Sequence, residues 1–485
     1  MRQINALLGL TLSGSLLSPV LAQNMPGMPD MTGMPNTTSI RVHQTPSAGR
    51  SGVKKSGGVT SHGGHMGTSG MMPSMMMSAT TNLADPMTKE GSGTSWLPES
   101  TPMYGKMIMR GGDTIMLHGA ITPRYVNVGS KRGDRQFAAP NWFMGMDSHP
   151  LGADAQLGLR AMISLDPITV GGFGYPLLYQ TGESWHGQPL HDRQHPHDLF
   201  SELSATYSRL VGGGNSVYLY LGYPGEPALG PPTFMHRLIA FDLPDAPISH
   251  HWQDATHITF GVATFGLNLG SKFKIEGSDF TGREPDENRY SFDKARFDSY
   301  SGRLSFNPDA NNAFQVSYGF LKSPEARDPG SDAHLTTASW LYNRPLGMDA
   351  NFTTSLVWGQ RDLTDEGKTN SYLVEADYQH HADTFFGRAE EVQKSGHELV
   401  LPDESLGERK FNVGEYTFGY LRDVTHGQGI DAGVGAAITV SPKPSALDPF
   451  YGSGTPLSFQ IMFRLRPSRM SGMGGMSHMN MGGAG

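Results

Sequence analysis

Eight of the 19 histidines crowd into one stretch of the chain, between His186 and His257. Imidazoles at that density invite a transition metal. They fall in two runs. The first reads Trp185-His186, then His191-Asp192-Arg193-Gln194-His195-Pro196-His197-Asp198. Pro196 biases His195 towards extended backbone, so His195 and His197 are expected to project to the same side. Asp192 and Asp198 are then placed to orient imidazoles or to bind directly. The second run offers His236 after Met235, then His250-His251-Trp252-Gln253-Asp254, with His257 opening the next strand. Imidazole suits copper, zinc, iron and nickel, but this spacing matches no named metal motif. The competing reading makes these polar loop residues, hydrogen-bonded to one another and to Arg193 and Arg237. His380, His381 and His426 read as structural or incidental.

Methionine is the second unusual signal. Met25, Met28, Met31 and Met34 recur near the start, followed by His62, His65, Met66, Met71, Met72, Met75, Met76 and Met77. Met470, Met473, Met476, His478, Met479 and Met481 close the chain between Gly and Ser. Thioether is a soft ligand, and with no cysteine in the sequence it is the soft side chain left for Cu(I). The alternative is a plain low-complexity linker, for which Glu, Lys, Ser and Gln are the usual residues. Nothing in 23–110 has helix or strand periodicity, so this Met/Gly/Ser-rich segment is expected to be disordered, as is the tail 468–485.

The histidine runs need a framework, and the rest of the chain supplies it. Leu457, Phe459, Ile461, Phe463 and Leu465 alternate with Ser458, Gln460, Met462, Arg464 and Arg466, which puts one apolar and one polar face on a strand. From Thr114 onward about sixteen such segments follow, the pattern of an all-β, closed antiparallel transmembrane β-barrel over 111–467. Short connections at Gly212–Asn215, Leu267–Gly270, Asn307–Asn312, Arg344–Asp349 and His381–Ala382 take turns with long ones near 166–200, 224–254, 280–298, 323–333, 393–410 and 441–456. Both histidine runs lie in the longest of these loops and emerge on the same rim. Tyr218, Tyr220, Tyr223, Trp340, Tyr342 and Trp358 are expected at strand ends, as girdle aromatics. A soluble all-β propeller is the alternative, but it would show internal repeats, and the sequence has none.

Arg2, an apolar run from Ala6 to Leu17 and Val20-Leu21-Ala22 read as a signal peptide over 1–22. No later segment has the roughly 18–20 unbroken apolar residues of a transmembrane helix. A hydrophobic content of only 37% with 62 glycines suits strands that face a polar lumen on one side. A net charge of −8 argues against a nucleic-acid partner. The expected location is the outer membrane of a Gram-negative bacterium, with lipid as the surrounding partner.

Signal, Met25-Pro-Gly-Met28-Pro-Asp-Met31 and a following barrel together resemble the outer-membrane components of bacterial copper resistance. His191–Asp198 and His250–His257 resemble stretches of uncharacterised bacterial outer-membrane proteins. The resemblance implies sequestration or export of copper (zinc is the alternative ion), without catalytic turnover and with periplasmic metal-handling proteins as partners. Two other functions compete. One is a diffusion porin in which the 166–200 loop folds inward as a His-rich constriction. The other is a lipid hydrolase recruiting Ser184 beside His186 or Ser249 beside His250, for which the sequence has no strained nucleophile turn.

Overall fold

The computed structural model describes residues 77–470 apart from 326–327. Its main sheet contains nineteen strand segments. Two pairs of these are single strands broken at a proline. Asp113–Ile121 resumes after Thr122-Pro123 as Arg124–Asn127, and Arg135–Ala138 resumes after Ala139-Pro140 as Asn141–Pro150. Proline has no N–H to give the ladder, so each break falls where pairing would need one. Lys106–Arg110 is an added piece that pairs only with the start of the first strand. Removing two breaks and one addition from nineteen leaves sixteen strands.

All neighbours pair antiparallel, and the sheet closes on itself. The last strand, Leu457–Pro467, pairs with Ile430–Val440 along one edge. Along the other it meets Arg124–Asn127, and Leu465 faces Ile121. Among the described residues the sixteen strands close into a circuit, which is what a sheet needs to cross a membrane.

Polarity across the wall is inverted relative to a water-soluble sheet. In Leu457–Pro467 the apolar residues Leu457, Phe459, Ile461 and Phe463 are exposed, while Ser458, Gln460, Arg464 and Arg466 are buried. Ser299–Phe306 repeats the pattern, with Tyr300 and Leu304 outside and Ser301, Arg303 and Ser305 inside. Lipid is the solvent that makes such an outer face stable. A row of stacked aromatics crosses it from strand to strand, Phe273–Phe306 at 4.5 Å, Phe306–Phe314 at 6.3 Å and Phe314–Trp340 at 6.2 Å between ring centroids. The girdle expected of Tyr218 and Tyr220 is corrected. Both point into the lumen, where their hydroxyls donate to Glu276 at 2.6 Å and Glu202 at 2.9 Å.

The rims differ as expected. Turns at 151–154, 213–214, 270–272, 307–311, 346–349, 381–382 and 426–429 form one rim. On the other lie 164–199, 223–261, 281–298, 322–332, 396–409 and 441–456, with two short connections, 128–134 and 364–366. The described chain enters and leaves at the short-turn rim, where Tyr104 bridges to Arg469, so that rim is the periplasmic one.

The expectation of disorder through residue 110 is corrected for 77–110. Residues 77–105 form a strap folded into the lumen, with Ala79, Lys89 and Trp96 buried. It has no core of its own because it uses the barrel's. Gln156 donates to the carbonyl of Ala79 at 2.7 Å, Asn268 to Asp85 at 2.8 Å and Arg160 to the carbonyl of Gly93 at 2.6 Å. From the opposite rim, 164–199 and 223–261 fold inward as well. The resulting plug is tied to the wall by apolar clusters and by buried ion pairs. Arg160 of the wall holds Glu90 of the strap at 3.2 Å, Arg124 of the wall holds Asp245 at 2.7 Å, and Arg237 of the inserted loop holds Glu375 of the wall at 2.5 Å.

Candidate functional site

Part of the two histidine runs meets inside this plug. Residues 164–199 start with a helical turn, Asp166–Thr169, and continue as a hairpin of Tyr175–Trp185 with Gln188–Gln194. Beyond Gln194 the chain leaves the hairpin and carries His195 and His197 against the turns His250–Gln253 and Ala255–His257. There the five histidines His195, His197, His250, His251 and His257 line a small cavity of about 20 Å³. Ring centroids stand 5.1 Å apart for His250–His257 and 5.5 Å for His197–His257.

Three of these imidazoles are oriented through Nδ1. His197 faces Asp166 at 2.8 Å, His250 faces Asp254 at 2.6 Å, and His257 faces the backbone carbonyl of Asp254 at 3.1 Å. A neutral imidazole donating from Nδ1 presents a lone pair at Nε2, the form that binds a metal. Nε2 of His197 and of His257 is buried without a hydrogen-bond partner. Burial lowers the pKa of His250 and takes those of His195 and His257 well below the usual imidazole value. Burial by itself would raise the Asp254 carboxyl, but His250 and Arg237 outweigh it and hold it below the ordinary range. Around the cavity, burial pushes Glu284 and Asp198 up to about 7. Glu183 stands 3.3 Å from His195, and Glu284 stands 3.3 Å from His251.

Among the described residues, the one His/Asp/Glu group whose ligand atoms all lie within 4.8 Å of one another is a different one, Asp423, His426 and Asp431 at the periplasmic rim. Asp423 is already paired with Arg464, and Arg466 approaches its second oxygen at 3.8 Å. Two guanidinium groups on Asp423 make this an ion-pair network first.

The remaining expected residues are dispersed. His186 sits exposed at the hairpin tip, its ring tilted against Trp185 with centroids 4.4 Å apart. His191 bonds Asp192 at 2.9 Å, and Asp192 is held by Arg132 at 2.7 Å and accepts from the backbone N–H of Tyr179 at 2.8 Å. The first run therefore does not act as one ligand set. It is a strand until Gln194, and its pairing carries the early residues away from the late ones. Asp198 is 3.5 Å from Arg289. His236 lies elsewhere, against Trp142 at 5.2 Å and His118 at 6.2 Å. The Ser249 hydroxyl donates to Glu390 at 2.6 Å and not to His250, whose Nδ1 is engaged by Asp254, so that pair is no nucleophile and base. Met25 to Met76 with His62 and His65, and Met473 to Met481, lie outside the described residues; Met77 and Met470 lie within them.

Sequence reasoning missed Asp166, Glu183 and Glu284. No local pattern marks them, because they reach the cage only through the way the loops fold. Trp142, Met144 and Met146 were also missed, although their alternation within Asn141–Pro150 was readable as one face of a strand.

No family model matches the chain, and no curated protein matches it. Among solved structures it is similar to the anion-selective porin from Comamonas acidovorans, at 12% identity over 73% of this chain and 99% of that one, with a TM-score of 0.43. It is also similar to OmpF of Salmonella typhi in complex with daunomycin, at 11% identity, 74% and 100% coverage and a TM-score of 0.44. OprB of Pseudomonas putida matches at 11% identity, 73% and 94% coverage and a TM-score of 0.44. By its closed strand register and inverted polarity, the chain is an outer-membrane-type β-barrel of sixteen strands.

Proposed function

We propose that the protein is a porin-like channel held closed by its own strap and inward-folded loops, and that small solutes pass when this plug yields. The observation that carries the reading is the chemistry of the contact between plug and wall. Beside its apolar contacts, the plug meets the wall through buried ion pairs, Arg124 of the wall with Asp245 of the loop and Arg237 of the loop with Glu375 of the wall. Buried ion pairs return little net stability because desolvation offsets their attraction. A plug held this way is well located yet separable. The test is conductance in planar bilayers. The full chain should conduct rarely, and a variant lacking 77–105 should conduct persistently. A deletion variant that still migrates as a folded barrel and stays silent overturns the proposal.

A second reading is favoured by the oriented imidazoles. His197, His250 and His257 support handling of a transition-metal cation, copper or zinc, at the constriction, with the methionine-rich ends as soft-metal collectors and periplasmic metal carriers as partners. Each has Nδ1 engaged by a carboxylate or carbonyl, the usual surrounding of a metal-binding histidine. Zn²⁺ and Cu²⁺ titration of full-length protein should lose one site in His257→Ala and none in His186→Ala. Equal binding by both variants counts against it.

A further inference from the structure

The lumen holds a second, chemically different chamber near the periplasmic rim. Its wall is three adjacent strands. Met116 and His118 come from Asp113–Ile121, Trp142, Met144 and Met146 from Asn141–Pro150, and Met162 from Ala155–Ile163. Cross-strand register sets Met116 opposite Met146 and His118 opposite Met144. The strap adds Met87 and Met103, and the inserted loop adds Met235 and His236. All of these but Met162, which packs in the same cluster, line a cavity of about 70 Å³, room enough for a single ion or a water or two.

Three features set this chamber apart from ordinary packing. Thirteen methionines lie among the described residues, and ten of them belong to this one cluster. Apolar filling alone does not require methionine, since Leu, Ile and Phe are abundant on the lipid face of the same strands. Nε2 of His118 is buried with no hydrogen-bond partner, and the ring of His236 stands 6.2 Å from that of His118. Both rings flank Trp142, at centroid distances of 5.1 and 5.2 Å. The third feature is continuity with the sequence on both sides. Met77 and Met470, the first and last described methionines, both pack against this cluster. The chain beyond each of them continues as Met72, Met75 and Met76 on one side and Met473 and Met476 on the other.

We infer that this chamber is a binding site for a soft monovalent d¹⁰ cation, Cu(I) or Ag(I), held by thioether sulfurs of Met116, Met144, Met146 and Met235 with an imidazole nitrogen of His118 or His236. Thioether and neutral imidazole are the ligand types such ions prefer. The ligands carry no charge, and the one carboxylate at the cavity, Glu90, is already engaged by Arg160 at 3.2 Å. A single positive charge in an apolar chamber is far less costly to desolvate than a double one, which selects against Zn²⁺ and Cu²⁺. The position suits a receiving site for ions gathered by the methionine-rich ends. This inference goes beyond the channel reading and stands whether or not the barrel conducts.

The test is Ag(I) and Cu(I) binding to the full-length protein in detergent under reducing conditions, with chelator competition and X-ray absorption. The wild type should hold one equivalent with mixed sulfur and nitrogen ligation, apart from any thioether-only ions on the ends. In Met116→Leu/Met144→Leu/Met146→Leu, whose side chains keep their volume, that mixed component should vanish and its affinity should fall tenfold or more. His236→Gln, in the loop rather than the wall, should weaken the same component if the triple variant fails to assemble. The inference is overturned if the wild type shows sulfur ligation only, or if folded variants keep the mixed component at unchanged affinity.

Discussion

Asp254 is the point at which the plug should be easiest to release. Its two carboxylate oxygens serve Arg237 at 2.7 Å, His250 at 2.6 Å and the backbone N–H of Phe234 at 2.9 Å, and all three groups belong to the same inserted loop. Asp254→Ala leaves the Arg237 guanidinium, 1% exposed, with Glu375 as its only ion-pair partner. Removing one member of a buried pair costs about 3–5 kcal/mol, because the other charge stays desolvated. The strand ladder contains no contact of Asp254, so this cost falls on the loop and not on the barrel. At about 1.4 kcal/mol per decade, the closed-to-open ratio should drop by roughly two to nearly four orders of magnitude. Single-channel recording in planar bilayers reads that ratio directly. Asp254→Asn, which keeps acceptor geometry and loses the charge, should fall between the variant and the wild type. An open probability within threefold of wild type, in an Asp254→Ala protein that still migrates as a heat-modifiable barrel, would refute the reasoning.

Glu226 should make the strap sensitive to rising pH. Its carboxyl accepts from Ser92 of the strap and from Thr233 at 3.0 Å each, and burial pushes it up to about 8. With a pKa raised on closing, its contribution is full below about 4.3, the hydrated value, and is lost as pH rises through 8. Conductance should therefore climb between about pH 4.3 and pH 8 and level off above that in the wild type, and not in Glu226→Gln. Two wall glycines should be intolerant of a side chain for a related reason. A Cβ on Gly158 would lie 1.8 Å from the carbonyl oxygen of Thr80 in the strap, and one on Gly359 would lie 2.1 Å from that of Trp252 in the loop. Gly158→Ala should release the strap and Gly359→Ala the loop, each seen as faster proteolysis of that segment in an otherwise folded barrel.

The barrel was legible because its rule is local. Alternation along Leu457–Pro467 names its lipid and lumenal faces without reference to any other strand, and turn length names its rim. The strap was not legible for the opposite reason. Residues 77–105 carry no periodicity, and their order comes from Gln156, Arg160 and Asn268, which lie far along the chain. Tyr218 and Tyr220 misled because an aromatic ring near a strand end suits a girdle, whereas a buried Glu276 or Glu202 needs a hydroxyl donor. The histidine cage was half legible. His195 and His197 were assigned to one side from Pro196, but His186 and His191 were drawn in by proximity in sequence alone, and the hairpin separates them.

These outcomes share a physical cause that bears on how the molecule can work. In a water-soluble sheet the polar face is solvated and the chain need not satisfy it. Here the strap and loops replace water inside the barrel, so each lumenal charge must find its partner in a segment distant in sequence. Arg303 takes Glu276 from its own wall and Thr94 from the strap, at 2.9 Å each. Arg160 divides itself between Glu202 of the wall at 2.6 Å and Glu90 of the strap at 3.2 Å. A wall cation with a wall partner keeps that partner if the strap departs, and water can replace the strap's share. Strap release therefore strands neither Arg303 nor Arg160 as an unpaired charge. Arg237 differs because it belongs to the loop and its wall partner Glu375 also holds Arg388 at 3.3 Å. Departure of the loop leaves Glu375 paired, while Arg237 retains Asp254 within the loop. In these cases each moving part carries or leaves behind a matched set, and Arg124, whose partner Asp245 leaves with the loop, is a wall cation whose ion pair water must then replace.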